Sequence, residues 1–167
     1  MTVSAPQSTL HVEYNRPGIA VADRDAVSAF TRAVLGIALI DLGWPSAELS
    51  VLYCSGAEIR RLNVQFRALD EETDVLSFPS EEDVKKLRNE PAPYLGDLAI
   101  CPKYAKHHGA EMGRTLADET ALLLIHGLLH LLGHDHDTPS KERAMWAETD
   151  RLLALVKNVR RPAMEVS

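Results

Sequence analysis

Aromatic residues are scarce in this chain of 167 residues, where Phe, Trp and Tyr together make up 5%. A core must therefore be built mostly from Leu, Val, Ile and Ala. Cysteine is nearly missing, with Cys54 and Cys101 alone. Their separation is not that of a metal-binding cysteine pair, and each falls near an apolar run, so buried free thiols are expected. No apolar run is long enough for a spanning helix. The longest, Ala121 to Leu132, is short and carries two histidines. The first residues, Met-Thr-Val-Ser-Ala-Pro-Gln-Ser, lack the basic and apolar regions of a signal peptide, so a cytoplasmic location is expected. A basic surplus is lacking as well: 18 Lys and Arg stand against 24 Asp and Glu, a formal net charge of −6. This argues against nucleic-acid binding by the whole surface. It leaves room for a local groove, because phosphate contacts are local. Internal repeats, low-complexity segments and a domain boundary are also absent.

What is present suffices for a core, with 46% hydrophobic and 25% charged residues. The length predicts one domain over residues 1–167, with 1–8 and 160–167 frayed. Leu10 to Tyr14 and Glu48 to Cys54 read as strands. Asp23 is placed to cap a helix from Arg24 to Leu42, with Ala26, Val27, Phe30, Val34, Leu35 and Ala38 at helical spacing and Gly36 weakening its middle. Ala57 to Phe66 reads as a helix with Ile59, Leu62 and Phe66 inward. Thr73 to Phe78 and Leu95 to Cys101 read as two more strands, separated by a charged surface excursion over 80–94. Pro102 starts a short helix to about Glu111. Thr115-Leu-Ala-Asp118 resembles a capping box that opens a helix to about Leu132. A last helix fits Ser140 to Val156, with Ala144, Met145, Leu152 and Leu155 inward. Strands and helices mixed in this order, about four strands among them, predict a layered fold, α+β or α/β, with α+β the expectation adopted.

The strongest chemical signal is His126-Gly-Leu-Leu-His130-Leu-Leu-Gly-His-Asp-His136. His126 and His130, four residues apart, share one helix face. Gly133 stands where a left-handed turn would reverse the chain and return His136 to the other two. Three neutral imidazoles with one position left open is the ligand set of catalytic zinc, distinct from a closed four-ligand structural site. A single histidine on an apolar helix face is usually a satisfied core residue, but three at this spacing reverse those odds. His134 is expected to border the site without ligating. Asp135 and Asp137 flank His136 and either orient its ring or are solvated turn acids. Zinc peptidases with this spacing carry Glu after the first histidine as general base. Here that position is Gly127, which disfavours peptide hydrolysis and leaves other metal-assisted chemistry open.

Three further segments extend the pattern: Leu62-Asn-Val-Gln-Phe66-Arg67, Thr73-Asp-Val-Leu-Ser-Phe-Pro79 and Leu95-Gly-Asp-Leu-Ala-Ile100. With the histidine run, they make the chain resemble the YbeY family of bacterial endoribonucleases and rRNA maturation factors. The resemblance covers most of the chain, from the second strand to the last helix. It departs at His134, where the family commonly has Tyr. It implies a small mixed sheet with packed helices, one zinc ion held by His126, His130 and His136, and a functional arginine at Arg67. A guanidinium binds two oxygens of a phosphodiester as negative charge grows on them. The plainer alternative makes Arg67 a structural partner of Asp70 or Asp74. Arg60, Arg61, Lys103, Lys106, His107 and His108 are candidates for lining an RNA groove, though each taken singly reads as a solvated charge.

The leading expectation is a metal-dependent endoribonuclease that cuts single-stranded RNA in rRNA maturation and ribosome assembly. The second is a ribosome-assembly factor that binds RNA or a ribosomal protein, with the metal holding its fold. A metallopeptidase is the weakest of the three, for want of the base at 127.

Overall fold

Four apolar segments pair into one sheet in the computed structural model, which describes residues 7–15 and 18–167. They are β1 (Thr9–Tyr14), β2 (Glu48–Tyr53), β3 (Val75–Pro79) and β4 (Tyr94–Ile100), in the order β1-β2-β4-β3. β1 and β2 are parallel, β2 and β4 are parallel, and β3 runs antiparallel to β4. The helices are α1 (Arg24–Asp41), α2 (Gly56–Arg67), the single turn α3 (Val84–Leu87), α4 (Pro102–Glu111), α5 (Leu116–Leu131) and α6 (Pro139–Leu155). This is the expected α+β fold with a mixed four-stranded sheet. Among the described residues, no helix is long and apolar enough to cross a membrane.

The sheet separates two cores because strand side chains alternate between its faces. Leu49, Val51 and Tyr53 of β2, with Leu98 and Ile100 of β4, join the large core that includes α1, α5 and Met145 and Leu152 of α6. Leu76, Ala99, Cys54 and Cys101 meet Ile59 of α2 in a smaller core on the other side. Both cysteines are buried free thiols, as expected. α5 is the most buried helix, for Ala121, Leu124, Ile125, Leu128 and Leu129 are fully covered. Its start is set by Thr115, whose hydroxyl accepts the amide of Asp118 at 3.1 Å.

Several inward assignments fail. Ala26, Ala144 and Leu155 are exposed. The buried stripe of α6 is narrow, running through Met145, Thr149 and Leu152 at i, i+4 and i+7, and it leaves the flanking positions in solvent. Phe66 is 58% exposed. Gly36 does not interrupt α1. The excursion over 80–94 carries α3, pinned by buried Leu87 and by Arg88 stacked over Trp44 at 4.3 Å.

The C-terminal tail, expected to fray over 160–167, is tied down. Glu165 O accepts the Ala20 amide at 2.8 Å, and Gly18 O accepts the Ser167 amide at 2.8 Å. The Glu165 amide donates to Asp23 Oδ2, and Arg161 bonds Asp118 and the carbonyls of Val156 and Val159. Paired backbone groups and the Ile19–Val166 bridge over a fully buried Ile19 outweigh the entropy of a free end. Residues 1–6 of the other expected frayed end lie outside the described residues. Deleting residues 162–167 is expected to lower the unfolding free energy by about 1–3 kcal/mol, the net worth of a few hydrogen bonds, as read by urea denaturation.

Candidate functional site

The histidine run folds as its spacing demands. His126 and His130 project from the last turns of α5, with ring centroids 4.8 Å apart. The helix stops at Gly133, which takes φ +91, a conformation that favours glycine. The Gly133 amide donates to His130 O and the His134 amide to Leu129 O, closing the helix end. The chain then returns, and the amide of His136 donates to Asp135 Oδ1 at 2.7 Å. His136 thereby comes 5.2 Å from His130 and 6.3 Å from His126, ring to ring.

One ligand-type nitrogen from each of the three rings lies within 4.8 Å of the others. The Nε2 atoms of His126 and His130 are 3.2 Å apart. Two nitrogens bound to one tetrahedral zinc at ordinary bond lengths lie about 3.3 Å apart, so this pair fits such an ion. Burial, and after it the neighbouring His130 and His136, lowers the pKa of His126 to about 4. Burial, then His136, lowers that of His130 too. These two rings are therefore neutral at pH 7, the state in which imidazole binds metal. His126 Nδ1 is buried without a hydrogen-bond partner, so its second nitrogen has no carboxylate or carbonyl to orient it. Instead, the Trp146 ring packs on His126 with centroids 5.4 Å apart.

A second set, Asp74, His108 and Glu119, also brings three ligand-type atoms together. Its carboxylate is already occupied. Glu119, buried to 1% exposure, accepts from Arg114 Nε at 2.6 Å and contacts His108 Nδ1 at 3.0 Å. The Asp74 carboxylate accepts the amide of Val75 at 2.8 Å. Glu119 and His108 thus belong to an ion-pair network with Arg114, which an ion at this set would have to break.

Position 127 explains itself in the structure. Gly127 faces the sheet, and a Cβ there would come within 2.8 Å of Leu98 Cδ2. A side chain at this place would require Leu98 to shift, and glycine itself offers no base, so the metallopeptidase reading stays the weakest.

The opposite wall of the site comes from β3 and the end of α2. Val75, Ser77, Phe66 and Arg67 line one groove of about 850 Å³ with His126, His130 and His136. The structure thus brings Arg67 to the histidines, although the two lie far apart in sequence. Neither predicted carboxylate holds it. Asp70 is taken by a bidentate pair with Arg60, at 2.7 and 3.0 Å. Among the described residues, Arg67 makes no ion pair. His134 and Asp135 border the groove, and Asp137 pairs with Lys141 at 3.1 Å instead.

The other candidate basic residues do not line the groove. Arg61 is paired with Glu58, His107 with Glu111 and His108 with Glu119, and His108 stands beside Asp74 at the groove's margin. Lys103 lines a separate hollow beside Cys54 and Glu72.

Asn63 escaped the reading of the sequence. It is 2% exposed, and its Nδ2 donates to Glu71 O at 3.0 Å. The Leu69 amide donates to Asn63 O, and Ala68 closes α2 in a left-handed conformation. Asn63 thus holds the loop that leads from Arg67 to β3. A polar residue in the inward stripe with Ile59 is the signal that marks it. Asn63→Leu is expected to cost about 1–3 kcal/mol, since it strands the Glu71 carbonyl. Amide exchange over 69–74 should accelerate more than in α5.

Comparison with known proteins follows the same segments. The family model described as "Endoribonuclease YbeY" matches residues 13–157. Endoribonuclease YbeY of Mycobacterium tuberculosis (strain H37Rv) is 43% identical over 143 residues, covering 83% of this chain and 78% of that protein. The protein of the same name from Mycobacterium ulcerans is 42% identical over the same shares. The solution structure of TM1509 from Thermotoga maritima shares the fold, with a TM-score of 0.61 over 89% of each chain at 24% identity. Matched over most of its length in sequence and in fold, this chain belongs to the YbeY family.

Proposed function

We propose that this protein is a metal-dependent endoribonuclease that cuts single-stranded RNA in the cytoplasm, during rRNA maturation and ribosome assembly. The observation that carries the reading is the shared groove: an arginine with no carboxylate partner faces three converging histidines. The name carried by its relatives, endoribonuclease, supports the substrate class.

His126, His130 and His136 are the residues that would hold one zinc ion. When bound, such an ion supplies Lewis-acid polarisation to a phosphoryl or water oxygen. Arg67 binds two non-bridging oxygens of the phosphodiester and neutralises the charge that grows on them. It has no competing salt bridge to break, so its donors are available to substrate. Val75, Ser77 and Phe78 form the wall against which the strand lies.

Purified protein is expected to carry one equivalent of zinc, and His126→Ala or His130→Ala to lose it, as measured by elemental analysis. Arg67→Ala should keep the zinc and lose about 10²–10³-fold in kcat/KM on single-stranded RNA. Equal cleavage by wild type, Arg67→Ala and His130→Ala would trace the activity to a contaminating nuclease and sink the assignment.

One observation favours the assembly-factor reading. His136 stands on an exposed turn between α5 and α6, so an ion there would also pin that turn to α5. A chelator separates the two. If metal removal melts the domain, and loaded protein binds ribosomal particles without cutting RNA, the metal serves the fold.

A further inference from the structure

Phe66 is the largest departure from the inward pattern of α2. It is 58% exposed, yet it is held in place edge to face against Phe78, with ring centroids 5.0 Å apart. In a chain so poor in aromatics, two rings meet at the rim of the candidate site. Both line the histidine groove, and both also line a second hollow of about 400 Å³ on the open face of the sheet. That hollow has Leu52, Leu62 and Ala99 as apolar lining, and Ser50 and Asp97 at its edge. The aromatic pair is thus the saddle between a place for phosphate and a flat apolar place beside it.

We infer that Phe66, braced by Phe78, is the stacking platform for the nucleobase next to the scissile phosphate. This rests on the reading of the protein as a nuclease for single-stranded RNA. Every base presents a π-face, and stacking on an exposed aromatic is how proteins grip single strands without reading their sequence. Phe66 precedes Arg67 directly at the C-terminal end of α2. One helix end therefore offers a ring for the base and a guanidinium for the adjoining phosphate. The hollow favours a base over a phosphate, since Glu13 and Asp97 at its edge repel anions and accept hydrogen bonds from base amino groups. A partner protein is the competing occupant, but continuity with the histidine groove favours the next nucleotide of the same strand.

The test compares zinc-loaded wild type, Phe66→Leu, Phe66→Tyr and Phe66→Trp on a short single-stranded RNA. Phe66→Leu should lose about tenfold in kcat/KM, within the range of stacking losses, while Phe66→Tyr and Phe66→Trp stay near wild type. Abasic nucleotides are then placed singly along the RNA. At one position beside the cut, the abasic loss and the Phe66→Leu loss should not add. Phe66→Trp supplies a readout apart from activity: with the wild-type emission of Trp44 and Trp146 subtracted, its fluorescence should be quenched by the same RNA. Phe66→Leu cutting as fast as wild type, losses that add at every position, or an unquenched Trp at 66 would each overturn the platform while leaving the nuclease intact. A wild type that neither binds nor cuts RNA would overturn the nuclease reading and the platform with it.

Discussion

Everything at the site depends on α5 lying flat against the sheet. Gly127 makes this possible, because its missing side chain lets the helix backbone approach Leu98, and the Ser77 hydroxyl reaches the Gly127 carbonyl at 3.4 Å. The helix is buried on nearly every side, so it has little freedom to rotate. His126 and His130, on the side left open, are consequently held at the groove before any ligand arrives. One small residue thus sets the position of both rings.

The site is assembled from parts with different rigidity. The first is the buried end of α5. The second is the turn after Gly133, exposed and shaped by backbone bonds, which brings His136. The third is the end of α2 with the loop behind it, held by the buried amide of Asn63. Arg67 belongs to this third part, and its freedom from ion pairs follows from how its neighbours are matched. Arg60 satisfies Asp70, Arg61 satisfies Glu58, and Arg114 satisfies Glu119. In a chain with net charge −6, a guanidinium with no ion pair among the described residues, beside His126 and His130, makes a local place for an anion without a basic surface.

Local patterns were legible where a single period or a cap decides the outcome. The strands, the long helices, the Thr115 cap and the Gly133 turn stand where the sequence puts them, within a residue or two. The failures lie where a neighbour from elsewhere in the chain decides. Phe66 has helical spacing with Ile59, but α2 extends past the covered part of the sheet and leaves it in solvent. Ala144 and Leu155 lie beside a stripe whose width is set by what α6 packs against. The tail has a composition that suggests fraying, yet the segment around Ile19 offers it hydrogen-bond partners. Four of the candidate basic residues, Arg60, Arg61, His107 and His108, are paired with carboxylates for the same reason.

The sequence by itself determined the convergence of the three histidines and its local geometry. A separation of four residues on a helix and a glycine-led reversal are short-range facts, controlled by helical pitch and backbone sterics. It also determined the fold class and, through its motifs, the family. Only the tertiary structure decided what faces those histidines. Arg67, Phe66 and Ser77 reach the groove because β3 pairs at the sheet edge beside α5 and α2 covers the other face, and no local rule specifies such a contact. The histidine half of the site is written in one helix and its turn. Its other wall exists only once the sheet has formed.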